Sequence, residues 1–284
     1  MNSNKHPATE ITDTEYWNKH HAHRFPVLYS LFRGLSCRFS YSFNDLFRVV
    51  ALAVRDSKNK TFAELGCAPG YTLVELRNRL GVIPFGIENS PVGYRLNKEV
   101  FKRNAIPCDQ VILGDFLSAE LRVKYRNHFD VVGSFGLVEH FTSPHDAIEG
   151  HIDLVKENGR VVVMVPNFGG INGMLVRFFD KGALARHNLQ IMRISALKNM
   201  FPSDTVEEVF CGFCGGVNVG LATADSTGKT ILLLLVLVAQ FILINPLLFL
   251  LAFMGVRVNA GWISPYIVYI GSKRAGSQIP GAKE

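Results

Sequence analysis

Four ionisable side chains stand at the ends of short apolar runs, where an α/β sheet exposes its ligand-binding edge. Glu64 lies in Phe62-Ala63-Glu64-Leu65-Gly66 and Glu88 closes Val82-Ile83-Pro84-Phe85-Gly86-Ile87-Glu88. Asp115 follows Gln110-Val111-Ile112-Leu113-Gly114, and His140 follows Phe129-Asp130-Val131-Val132-Gly133-Ser134-Phe135 by five residues. Carboxylates in such places hold cations or hydroxyl groups. An imidazole with an ordinary pKa of about 6.5 suits proton removal from an oxygen nucleophile. Gly66 and Gly70 frame Cys67-Ala68-Pro69, giving a sharp turn that a ligand can approach without meeting a Cβ. The spacing is G-x-x-x-G, not the G-x-G-x-x-G of dinucleotide sites, and Gly70-Tyr71-Thr72 has no P-loop lysine.

Elements must place these groups. The polar break Asp56-Ser57-Lys58-Asn59-Lys60 precedes the first apolar run, and Tyr71-Thr72-Leu73-Val74-Glu75-Leu76-Arg77 follows the glycines with helical spacing. The stretch reads as strand, turn, helix. Glu88 falls about 20 residues past the turn, the distance at which a carboxylate grips a ribose diol. A fifth strand, Val161-Val162-Val163-Met164-Val165-Pro166-Asn167, follows the turn Asn158-Gly159-Arg160, and Val206-Glu207-Glu208-Val209-Phe210 reads as a sixth.

This ordered set resembles the class I S-adenosylmethionine-dependent methyltransferases, of the small-molecule or lipid type found among ubiquinone-biosynthesis-like enzymes. Their first motif is E/D-x-G-x-G-x-G; Glu64, Gly66 and Gly70 match, and Ala68 replaces the middle glycine. The resemblance covers roughly residues 45–225 and a returning strand near 265–271. It implies a Rossmann-like α/β sheet of seven strands in the order 3-2-1-4-5-7-6, and S-adenosyl-L-methionine as cofactor. It places Glu64 and Gly66 against the methionine part and Glu88 on the ribose hydroxyls. Asp115 takes the adenine amino group, Phe116 lines the ring, and Ser134 and Gly136 line the cofactor from the fourth strand. Cys67 and Gly70 belong to the same cofactor-binding set, and His140 is the catalytic candidate. Glu139-His140 is also similar to the E-x-x-E-H metal site of certain ubiquinone-biosynthetic and RNA-end methyltransferases. Gly136 stands where the first acid is needed, so the expectation is no metal. Arg177, Arg186, His187 and Asn188 are polar candidates for the substrate wall, with nothing to choose among them.

Composition narrows the classes. The 284 residues carry a net charge of +6, with no basic-aromatic interleave of the nucleic-acid kind and no internal repeat. A modest positive charge fits an anionic surface. The five cysteines and a polar start, Met1-Asn2-Ser3-Asn4-Lys5, suggest a reducing compartment without a secretory signal. Cys211-Gly212-Phe213-Cys214 lacks a second ligand pair and reads as structural thiols. Residues 1–12 read as a disordered tail, 13–55 as a helical cap, 56–228 with 262–275 as the catalytic domain, and 276–284 as a flexible tail. Within the cap, His20-His21 and His23 read as a solvated helix face. The basic aromatic stretch Arg24 to Arg33 reads as a lid, a membrane-surface helix or a packed helix. A helix from Ser42 to Arg55 is capped by Asn44 or Asp45.

Residues 229–258 are the anomaly. Ile231 to Val256 holds 26 residues without a charge, interrupted by Asn245-Pro246. That is long enough to span a bilayer. Yet Ser264 to Arg274 reads as the last strand of the same sheet, so the chain must return. Asn245-Pro246 is the natural reversal. Its two arms would reach roughly 21 and 15 Å, short of a core of about 30 Å. The expectation is an apolar hairpin dipping into one leaflet, with the catalytic domain facing the cytoplasm and a lipophilic acceptor (lipid, quinone or lipid-linked glycan) methylated on oxygen. One alternative is a soluble metabolite as acceptor, with the hairpin buried in a homodimer. Another is a non-catalytic membrane scaffold of the same fold.

Overall fold

In a computed structural model, residues 10–22, 39–54 and 59–276 are described. Seven strands form one sheet: β1 (Thr61–Leu65), β2 (Ile83–Glu88), β3 (Val111–Leu113), β4 (Phe129–Phe135), β5 (Val155–Pro166), β6 (Val206–Cys214) and β7 (Tyr266–Lys273). Their order is β3-β2-β1-β4-β5-β7-β6, as the resemblance implied. The first five pair in parallel, and β7 is antiparallel to both β5 and β6. Both faces are covered, which is why the central strands are continuous runs of Val and Ile rather than alternating ones. One apolar layer joins Leu65, Phe129, Val163 and Ile152; the other joins Phe62, Val131, Val162 and Leu73.

Helices α1 (Thr14–Ala22), α2 (Tyr41–Val54), α3 (Tyr71–Leu80), α4 (Pro91–Arg103), α5 (Ala119–Lys124) and α6 (His145–Leu154) flank the first five strands. α4 starts where Ser90 accepts from the Gly93 N–H and Pro91 takes the first position, a residue with no amide to leave unpaired. Asn44 and Asp45 lie inside α2 and do not cap it. Glu10 to Thr12 are not a loose tail: Glu10 bridges to Phe141, and the Ile11 amide donates to the His140 carbonyl at 2.7 Å. The stretch Arg24 to Arg33, His23 and the tails 1–9 and 277–284 lie outside the described residues. β6 runs four residues beyond Phe210 and takes in Cys211 and Cys214. Odd spacing in a strand sends those two side chains to opposite faces, so they share no metal or disulfide; both are free thiols.

After β5 come α7 (Gly170–Phe179) and α8 (Ile194–Asn199); after β6 comes the apolar insertion. The expected reversal at Asn245-Pro246 does not occur. α9 (Thr227–Ala239) runs through a π turn, Gln240–Ile244, into α10 (Asn245–Phe253) as one helix of 27 residues. Pro246 cannot donate an amide, and its ring crowds the preceding turn; the wider π turn just before it absorbs both defects. At about 1.5 Å per residue the helix is about 40 Å long.

The helix does not project from the domain. Leu233, Gln240, Asn245 and Leu248 fall on one face and are all buried. Gln240 accepts from the Val219 amide at 2.7 Å and donates to Asn218, while Asn245 donates to the Phe39 carbonyl at 3.3 Å. Leu235, Ile242, Leu243, Leu250 and Phe253 face outward and are exposed.

A single carboxylate closes the base of the insertion. Asp45 on α2 is 2% exposed and accepts from the Gly215 amide at 3.0 Å, from Asn259 Nδ2 at 2.9 Å and from Arg48 Nε at 2.9 Å. Arg257 adds an ion pair at 3.5 Å. Burial raises the Asp45 pKa, but the amide, Asn259 and Arg48 together hold it below 3.8. A depressed folded pKa means the stabilisation is full above about pH 4 and is lost as pH falls through the folded value. Asp45→Asn should cost about 2 kcal/mol at neutral pH, read by thermal or urea unfolding. The variant should also show a weaker fall in stability than the parent as pH drops below about 4.

Candidate active site

The carboxyl ends of β1, β2, β4 and β5 open into a cavity of about 400 Å³, within the range of ordinary ligand pockets. Gly66 and Gly70 take positive φ of 67° and 93°. A Cβ on Gly70 would sit 2.2 Å from Asn97 Oδ1, and one on Gly66 would sit 2.9 Å from Leu137. Asn97 holds the turn from below, donating to Cys67 Sγ at 2.7 Å. Burial and the charges of Glu88 and Glu64 raise the Cys67 thiol pKa, which keeps it a packing group.

Glu88 is 5% exposed and braced by the turn itself. Its Oε2 accepts from the Ala68 amide at 3.1 Å and its Oε1 from the Ser90 amide at 2.9 Å. The Asn89 amide also bonds the carboxylate, which with about four acceptor sites still has capacity for a ligand. Burial pushes its pKa up despite those amides. Glu64, Gly66, Cys67, Gly70, Glu88, Phe116, Gly136 and His140 all line the cavity. Two expected residues do not. Ser134 turns away to His151: the His151 Nδ1–H donates to the Ala147 carbonyl at 2.6 Å, so Nε2 accepts from Ser134 Oγ at 2.9 Å. Asp115 caps its own turn, accepting from the Leu117 amide at 2.9 Å, and stands near Glu10 at the rim.

α1 roofs the pocket. Tyr16, Trp17, His20 and His21 line it, and the Trp17 ring meets His140 edge-on at 5.0 Å. Asn18 is held by Ser90 Oγ at 2.7 Å. Nothing in the spacing of these residues marks them as pocket residues; the Glu10–Phe141 bridge places them there. On the far side, Arg186 and His187 line the cavity. Asn188 does not, but it sews that loop down, donating its amide to the Glu139 carbonyl at 2.6 Å. Arg177 lies exposed on α7, away from the lining.

His140 does not keep the ordinary imidazole pKa. Burial, then the neighbouring His187, pull its pKa down to about 3. Its Nδ1–H donates to the Arg186 carbonyl at 3.1 Å, leaving the Nε2 lone pair. His187 stacks obliquely on it at 4.6 Å, and its own Nδ1–H donates to the Ala183 carbonyl at 2.7 Å. Glu139, 1% exposed, is pushed up to about 8 by burial.

Two left-handed glycines, Gly70 before α3 and Gly81 after it, separate two sources of strain. Gly81 also has positive φ, 69°, but among the described residues a Cβ there meets nothing within 4 Å. Gly81→Ala should therefore cost about 1 kcal/mol, the left-handed penalty alone. Gly70→Ala should cost at least about 2 kcal/mol more, because Asn97 must also move. Chemical denaturation of the pair measures the difference.

Comparison with known proteins agrees with this architecture. The methyltransferase-domain family profile matches residues 39–204. A tRNA U34 carboxymethyltransferase of Desulfotalea psychrophila is 24% identical over 115 residues, which are 40% of this chain and 35% of that one. The chain thus spans about a third of the length of the curated relative it matches. Among solved structures, the methyltransferase in complex with the Haloferax volcanii Trm112 activator superposes with a TM-score of 0.52 at 15% identity, covering 91% of this chain and 97% of that one. The SpnF cyclase superposes with a TM-score of 0.51 at 15% identity, covering 81% and 80%. At such identities the superpositions speak for the fold alone. The chain belongs to the methyltransferase-domain family, with the fold and the S-adenosyl-L-methionine cofactor of the class I S-adenosylmethionine-dependent methyltransferases.

Proposed function

We propose that this methyltransferase works at a membrane surface and methylates a hydroxyl of a lipophilic acceptor. The carrying observation is the shared wall between the cavity and the apolar insertion. Leu233 of α9 packs in one cluster with Val176, Phe179, Ala183 and Ala222, and Ala183 and the adjacent Leu221 also line the cavity. An acceptor buried in lipid beside this helix has a short path to the pocket.

The outward face favours lipid over water. Leu235, Ile242 and Leu250 are 63%, 61% and 56% exposed, and Met174 and Phe178 of α7 continue the patch. Soluble monomers rarely expose so long an apolar surface. Each half-exposed side chain gains roughly 1 kcal/mol on leaving water. Arg177 and Lys181 at the border are exposed, which suits anionic headgroups. A helix docked along its length lies in the interface rather than across it. Buried free thiols such as Cys67 and Cys214 fit the cytoplasmic side. In this reading residues 56–228 with 262–275 form the catalytic unit, and α1 belongs to its cap.

The cofactor supplies an electrophilic methyl group on a sulfonium centre. Glu64 and the Gly66 turn hold its amino-acid end, and Glu88 offers its spare lone pairs to the ribose hydroxyls. Phe116 and Phe141, with ring centroids 6.1 Å apart, wall the adenine end, with Asp115 and Glu10 at the rim. His140, kept neutral by burial, lies at the acceptor end and does not store the hydroxyl's proton, which leaves to solvent as the oxygen–methyl bond forms and the sulfonium–methyl bond breaks.

Flotation with vesicles of phosphatidylcholine and phosphatidylglycerol tests the surface. The full chain should float, and the Leu235→Glu, Ile242→Glu, Leu250→Glu triple variant should remain in solution while still binding S-adenosylhomocysteine. Lipid extracts of producing cells should contain a species one methylene heavier. A parent chain that stays in solution as a stable dimer would favour a soluble acceptor instead.

A further inference from the structure

Glu139, His140 and His187 bring one ligand atom each to within 4.8 Å of the others. Sequence spacing argued against a metal because Gly136 stands where a first acid would be. The fold supplies a different third group, His187, 47 residues downstream of His140. We propose that these three residues form a divalent-metal site at the acceptor end of the pocket, taking a first-row cation of the zinc or manganese class.

Both imidazoles are set up as ligands. His140 and His187 each commit Nδ1–H to a backbone carbonyl, of Arg186 and Ala183 respectively. That fixes the tautomer and leaves Nε2 with its lone pair, the usual second-shell arrangement of a metal-bound histidine. A cation bound through both Nε2 atoms would meet lone pairs and displace no proton. The third group has its own deficit. Among the described residues Glu139 Oε2 is buried without a hydrogen-bond partner, a costly state for a carboxyl oxygen. All three residues line the cavity.

The donor set selects the metal. Two imidazoles and one carboxylate suit zinc, manganese or iron(II), whereas calcium and magnesium prefer oxygen alone. Donor atoms around a cation with bonds of about 2.1 Å sit about 3.4 Å apart, so the ring of ligands closes by roughly 1 Å on binding. Gly136 leaves room on the open side: a Cβ there would stand 3.4 Å from Glu139 Oε1. A cation at this point lowers the pKa of a bound oxygen nucleophile, a role that rests on the proposed methyl transfer. Metal retention itself is separable from that reading.

The full chain, purified and dialysed against zinc, should retain one equivalent by elemental analysis, and cobalt should give visible absorption bands. His187→Ala and Glu139→Gln should each weaken retention at least tenfold, while the exposed His145→Ala keeps it. S-adenosylhomocysteine binding, followed by calorimetry on the same samples, should survive in all of them. Equal retention by the parent and His187→Ala would overturn the site. So would loss in a His20→Ala, His21→Ala double variant with His187→Ala unaffected. If zinc binds but S-adenosylhomocysteine does not, the metal site stands and the methyl-transfer reading falls.

Discussion

The Asp45 carboxylate holds both roots of the insertion against one helix. Gly215 leaves β6 and Asn259 approaches β7, and both are bonded to this one side chain. β7 must lie between β5 and β6, so the chain leaves the sheet and returns to it at the same edge. That constraint decides what an apolar stretch of this length can do. A single crossing would put β7 on the wrong side of a bilayer. The segment therefore stays with the domain as one docked helix, and its polar side chains Gln240 and Asn245 are spent on the docking.

The same edge carries the cavity. Carboxyl groups from β1, β2 and the segment after β4 are buried around it, and burial pushes Glu88 and Glu139 up from the usual carboxylate range. Such groups are destabilised as anions until a cation arrives. A sulfonium-bearing, ammonium-bearing cofactor is suited to the Glu64–Glu88 end. In the proposed metal site an ion answers the same need at the Glu139 end. On the proposed reading the same electrostatic logic divides the pocket into a cofactor half and an acceptor half.

Much of this was legible in the chain itself. Apolar runs ending in Glu88 or Gly114-Asp115, with Gly66 and Gly70 between strand and helix, are local signals, and the strand order came from the family resemblance that they carry. The less legible parts depend on contacts between distant segments. Pro246 reads as a reversal because local rules cannot see the π turn that accommodates it. Ser134 reads as a cofactor contact until His151, from the next helix, claims its hydroxyl. α1 covers the pocket only because Glu10 and Ile11 pair with 140–141, and His187 reaches His140 only because Asn188 is bonded to Glu139. None of these pairings leaves a pattern in residue spacing.

The central claim is a sulfonium cofactor seated over the Gly66–Gly70 bend and gripped by Glu88. Calorimetric titration of S-adenosyl-L-methionine into the purified chain tests it most directly, with Glu88→Ala alongside. One binding site in the parent, weakened at least tenfold in the variant with its melting transition intact, is the predicted result. No binding heat in the folded parent, or the same affinity in both, would contradict it.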